Sequence, residues 1–195
     1  MIRRFGWIAN MVRKDWNEHG EAFIVCSMIP FFLPFLEHAP DHWKRVALVF
    51  VTGVIAMYVG VLTFFNEQTY QTLELAVGLP VRPVYVILGK FASVYSVCLI
   101  ATNLPMTILR DPHFIYLVNA EVLFLATLTT ACSLLSDHRA MAFLPFFLFA
   151  GTWMNSKSIE AVETYASELA MYGYIATPVI FVVCVVVFWN DWRVR

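Results

Sequence analysis

Four runs of this chain, residues 46–65, 91–109, 114–135 and 172–189, are apolar and long enough to cross a lipid bilayer. A spanning helix needs about 20 mainly apolar residues, set by a hydrocarbon core about 30 Å thick and a rise of about 1.5 Å per residue. Inside that layer only helices and closed barrels satisfy every backbone polar group. The chain is 60% hydrophobic and 14% charged, whereas soluble domains carry about 25% charged residues. An aqueous core built from 195 residues does not hide that much apolar surface. The expected class is an all-α integral membrane protein with one transmembrane domain over 1–195.

Two shorter apolar runs, 22–36 and 140–154, contain prolines: Pro30 and Pro34 in the first, Pro145 in the second. With both counted, the spans are 22–36, 46–65, 84–109, 114–135, 140–154 and 172–190, and both termini are cytoplasmic. The basic residues then divide nine against four. Arg3, Arg4, Arg13, Lys14, Arg82, Lys90, Arg139, Arg193 and Arg195 fall inside; Lys44, Arg45, Arg110 and Lys157 fall outside. That is the direction of the positive-inside rule.

Residues 1–19 read as an amphipathic interfacial helix before the first span. Ile2, Phe5, Ile8, Ala9, Val12 and Trp16 recur at helical spacing, with Arg3, Arg4, Arg13 and Lys14 as polar partners. Trp7 and Trp16 are candidate interfacial anchors. Residues 155–171 read as a re-entrant or interfacial helix on the outer side. Ile159, Val162, Tyr165, Ala166 and Leu169 share one face there, and Glu160, Glu163 and Glu168 form a solvated one.

Several classes are disfavoured. A net charge of −1 with no basic tract gives nucleic acid nothing to bind. The four cysteines lie in apolar runs at no zinc or redox spacing and read as small core residues. His19, His38, His42, His113 and His138 are scattered, with no metal-ligand spacing among them. There is no GxxxxGK[ST] phosphate cradle, no HExxH and no GxSxG. The basic start leads into MVRKDWNEHG rather than the apolar core of a cleavable signal.

The polar segment 66–80 stands apart from this apolar background. Tyr70, Leu73 and Val77 make one apolar stripe, while Glu67, Gln68, Gln71 and Glu74 line other faces. A short helix lying along the membrane surface suits both. Gly78 and Pro80 end it, and Arg82 and Lys90 mark the cytoplasmic start of the third span.

These residues resemble the ABC-2 type transporter permeases. That family has a coupling helix after its second span, with a pattern like E-x-x-x-G-T-L-E, then a leucine-rich stretch, P-V-[ST]-R and a G-K at the next span. This chain has Glu67, Gln71, Thr72, Leu73 and Glu74, then Leu79, Pro80, Val81 and Arg82, then Gly89 and Lys90. Gln71 departs from the family glycine, and Pro83 follows Arg82 directly. MVRKDW is similar to the family's connecting helix. The resemblance implies the membrane subunit of an exporter in a prokaryotic cytoplasmic membrane, with a second permease subunit beside it. It implies a separate P-loop ATPase that binds ATP and magnesium, with no cofactor in this chain itself. Glu67, Tyr70, Thr72, Leu73, Glu74, Leu79 and Arg82 are then the ATPase-coupling residues. The implied cargo is amphipathic: a drug, peptide, lipid or glycolipid. A cytochrome c maturation-type permease is the near alternative.

From the residues alone, Glu121 is the candidate pathway group. It lies about 10 Å along its span, where an ionisable side chain is functional by default. Asn103 and Asn119 are its candidate partners. A non-transporting scaffold, or an intramembrane enzyme using Glu121 with Asp111 and His113, stays open.

Overall fold

A computed structural model describes residues 2–35, 40–69, 83–109, 112–135, 144–145, 171 and 173–187. The described residues are helical almost throughout. Helix α1 is Ile2–Phe32, followed by a 3-10 turn at Leu33–Phe35. Helix α2 is Asp41–Thr69, α3 is Pro83–Leu109, α4 is Pro112–Leu135 and α5 is Gly173–Val187. Both α3 and α4 open on proline, whose fixed φ and missing N–H suit the first helical position.

Three segments are long and apolar enough to cross a membrane: Trp43–Thr63, Val84–Pro105 and Phe114–Ser133. The sequence predicts six crossings, and the described residues hold three of that kind. Of run 22–36, residues 22–35 form the last part of α1 and the 3-10 turn. Run 172–190 is represented by the shorter apolar α5. Of 140–154 only Leu144 and Pro145 are described, and 155–170 lies outside the described residues.

The sequence also predicts an interfacial helix ending before Gly20. Instead α1 continues through Gly20 as one helix. Trp16 and Phe23, on either side of that glycine, meet edge to face at 5.4 Å and bridge the point. The helix ends where prolines deny it backbone donors, Pro30 inside its last turns and Pro34 in the 3-10 turn.

Contacts fix the directions of the helices. Met11 meets Gly89 and Trp16 meets Ser96, so α1 runs parallel to α3. Arg45 lies over Phe114 and Gly60 meets Thr129, so α2 runs parallel to α4. Thr102 meets Asn119 and Tyr95 meets Thr127, so α3 and α4 are antiparallel. Tyr174 stacks on Tyr116, and Phe181 meets Phe91 further along, so α5 runs with α4. One end of the bundle therefore gathers the start of α1, the end of α2, the start of α3 and the ends of α4 and α5. Residues 70–82 connect two of those helix ends.

Helix α3 is central, with no exposed side chain from Val84 to Cys98. Its Val94 and Val97 form the core with Phe23, Leu48, Val49, Ile55, Val59, Val118 and Val122. Lipid tails are as apolar as leucine, so helix association in a bilayer rests on close packing and interhelical polar contacts. Two glycines permit the closest approaches. A Cβ on Gly89 would stand 2.6 Å from Met11 Cβ, and one on Gly173 would stand 2.8 Å from the Ala120 carbonyl oxygen.

Candidate functional site

Three polar groups lie within this apolar bundle. The first joins α1 to α3. Lys90 Nζ donates to Asp15 Oδ1 at 2.5 Å, with side chains 1% and 0% accessible. One helical step on, Trp16 Nε1 donates to Ser96 Oγ at 3.1 Å. Ser96 Oγ donates to the Ser93 carbonyl, and Ser93 Oγ to that of Gly89, so neither hydroxyl is stranded in the helix. The sequence predicts Lys90 as a basic residue at the cytoplasmic start of the third span and Trp16 as a headgroup anchor. Here Lys90 sits inside the Val84–Pro105 segment, neutralised by Asp15, and the Trp16 indole is engaged by α3. Asp15 is a functional candidate that the sequence reading passes over. Its signal is positional: it falls on the stripe Ile8, Val12, Asp15, His19 and Phe23, an acid where an apolar residue is expected.

The second group joins α3 to α4. Asn119 Nδ2 donates to Asn103 Oδ1 at 3.1 Å, and Asn103 Nδ2 donates back to Asn119 Oδ1 at 3.3 Å. Thr102 Oγ1 adds a 2.6 Å bond to the same Asn119 oxygen. Further along the pair, Tyr95 OH meets Thr127 Oγ1 at 2.5 Å. Thr127 itself donates to the Leu123 carbonyl, which makes the tyrosine the donor between them.

The third is Glu121. It is fully buried, and among the described residues neither carboxylate oxygen has a hydrogen-bond partner. Asn103 and Asn119 are the candidate partners that the sequence offers; the structure bonds the two asparagines to each other. Two residues along an α-helix amount to about 200° of rotation, which carries Glu121 away from the α3-facing side that Asn119 occupies. Thr129 and Thr130, later on the same helix, likewise have buried hydroxyls without a partner.

Most of the expected coupling residues lie outside the described residues: Tyr70, Thr72, Leu73, Glu74, Leu79 and Arg82. Glu67 is described only as backbone near the end of α2. Asp111 also lies outside, and His113 is backbone only.

The chemistry available is that of charge pairing and amide pairing between helices, plus one carboxylate held in an apolar setting. Among the described residues no three of His, Cys, Asp or Glu come together as a metal site. The four cysteines are free, three of them buried as small core side chains. No protein-family model, curated protein or solved structure matches the chain.

Proposed function

We propose that this chain is the membrane-spanning subunit of an ATP-binding cassette exporter of the ABC-2 type, driven by a separate P-loop ATPase. The observation that carries the reading is the joint between α1 and α3. Segment 66–80 resembles the family's coupling pattern, apart from Gln71, and stands just before α3 in the sequence. The opening turns of α3 are fastened to α1 by the buried Asp15–Lys90 pair and by the close approach at Gly89. A push on segment 66–80 as the ATPase closes would reach α3 first and pass to α1 through that joint. Closure on ATP then biases the bundle between two arrangements, and the bias equals the difference in affinity for the two.

In this reading two permease subunits enclose the pathway and two ATPase subunits dock at the end where α1 begins. Six crossings and a prokaryotic cytoplasmic membrane with both termini inside belong to the same proposal. The cargo is amphipathic, and Glu121 lines its route. The test is affinity capture of the tagged chain from native membranes in mild detergent, with mass spectrometry of what accompanies it. A stoichiometric P-loop ATPase is the expected result. Reversing Glu67→Arg and Glu74→Arg together should then uncouple ATP turnover from export without unfolding the chain; unchanged export sinks the coupling role.

One observation favours a second reading, an activity within the membrane built on Glu121: its carboxylate is buried with no protein partner. Turnover of a lipid by the purified chain alone, lost in Glu121→Gln, would move the assignment there.

A further inference from the structure

Helix α4 carries one acidic residue and no lysine or arginine, and that acid is Glu121. It lies about 10 Å inside the Phe114–Ser133 segment, fully buried. Both its oxygens lack a hydrogen-bond partner among the described residues. One and two turns along the same face stand Phe114, Leu117, Val118, Phe124, Leu125 and Leu128, all apolar. Among the described residues, the helices packed against α4 bring no charge to that level. On α2, Arg45 lies over Phe114, about two turns away, and Lys44 precedes it. The contact of Gly60 with Thr129 sets Thr52 level with Glu121, and its hydroxyl is spent on the Leu48 and Val49 carbonyls. On α3, Lys90 is held by Asp15 on the α1 side and Tyr95 OH by Thr127. Helix α5 has no charged residue from Gly173 to Val187, and its Tyr174 OH donates to the Tyr116 carbonyl. An ionised carboxylate alone in such a setting is far costlier than the neutral acid, so the empty site holds a proton.

We propose that Glu121 is the seat of a protonated amine carried on an apolar body, which exchanges there with the proton. The exchange balances in charge. The carboxylic acid gives its proton to water, and the ammonium takes that place beside the carboxylate. Two unbonded oxygens ask for donors as well as charge, and the N–H groups of an alkylammonium supply both. A quaternary ammonium brings the charge without the donors. The apolar side chains on either side of Glu121 suit a hydrocarbon body. A metal ion needs several ligands, and among the described residues no three of His, Cys, Asp or Glu gather. The seat gives the amphipathic cargo of the exporter a positive charge. It rests on that reading only in calling the amine a cargo; the seat itself rests on the burial of Glu121.

The test is infrared difference spectroscopy of the full chain in lipid bilayers at neutral pH, with Glu121→Gln as the reference. The expected result is a carboxylic-acid carbonyl band in the unsubstituted chain that the variant lacks. Perfusion with octylamine, which is protonated at neutral pH, should convert that band to carboxylate bands in the unsubstituted chain alone. Octyltrimethylammonium should convert it less, and octanol should leave it as it was. No acid band at neutral pH overturns the proposal, since Glu121 is then ionised and already partnered. A band that octylamine leaves unchanged, or that octanol converts equally, overturns it too. Equal conversion by octyltrimethylammonium overturns the choice of an amine. Capture of an ATPase with the chain scores the exporter reading separately. Conversion by octylamine without an ATPase keeps the seat and removes the exporter; an ATPase without conversion keeps the exporter and removes the seat.

Discussion

Lys90 Nζ lies 2.5 Å from Asp15 Oδ1, and neither side chain reaches solvent. The pair ties the N-terminal half of α1 to the opening turns of α3. Losing one member of a buried pair strands the other charge, at about 3–5 kcal/mol, whereas replacing both with apolar residues of similar volume is often neutral or better. Lys90→Met and Asp15→Leu are therefore each expected to lower the unfolding midpoint in detergent sharply. The double variant should recover most of it. Equal loss in single and double variants would mean that the two residues act separately.

The same joint depends on Gly89. A Cβ there would meet Met11 Cβ at 2.6 Å, a clash between two atoms fixed to their helices. Gly89→Ala should destabilise by about 1–3 kcal/mol, the usual cost of overpacking. Met11→Ala should fail to rescue it, because the Cβ of residue 11 remains. Met11→Gly should rescue in part, reduced by about 1 kcal/mol of helix propensity. Unfolding midpoints of Gly89→Ala alone and combined with each Met11 substitution decide. Rescue by Met11→Ala would place the conflict further out along the methionine side chain.

The parts of this architecture legible in the sequence are those governed by length and hydropathy. Runs 46–65, 84–109 and 114–135 fall within α2, α3 and α4, because an apolar run of that length has one way to satisfy its backbone in lipid; α2 runs on to Thr69, into the start of the expected 66–80 helix. The α1 helix was harder to read. Its polar residues and Gly20 suggest a break, yet the helix leans on α3 on both sides of that point, through Trp16 and through Phe23 in the shared core. Tertiary contact overrode local composition. Lys90 is legible as a basic residue at the start of its span, but no charge count reveals that Asp15 lies opposite. Glu121 was legible as an ionisable residue in an apolar run, but which face of α4 meets α3 is a property of the packed bundle. That choice separated it from Asn103 and Asn119.

The asparagine pair makes a measurable prediction of its own. Asn103 and Asn119 exchange hydrogen bonds across α3 and α4. Interhelical hydrogen bonds in membrane bundles average about 0.6 kcal/mol and reach about 1.7 kcal/mol. A double-mutant cycle of Asn103→Ala and Asn119→Ala should give a coupling energy in that range. Asn119→Ala should cost more alone than Asn103→Ala, because Asn119 Oδ1 also accepts from Thr102. A coupling energy near zero would mean that the amides do not hold the two helices in register.

Glu121 separates stability from function. Its carboxylate is buried with neither oxygen bonded, and an unsatisfied buried polar group costs about 1–3 kcal/mol, more when charged. Glu121→Leu removes that cost at similar volume and should raise the unfolding midpoint. If the carboxylate serves cargo, ATP-driven export should fall in the same variant while the ATPase stays bound, because a strained site is retained for what it does. Glu121→Gln should keep the shape, raise stability less and lose export as well. A lower midpoint for Glu121→Leu would show that something holds the carboxylate in place, making it structural. A higher midpoint with undiminished export would remove Glu121 from the pathway.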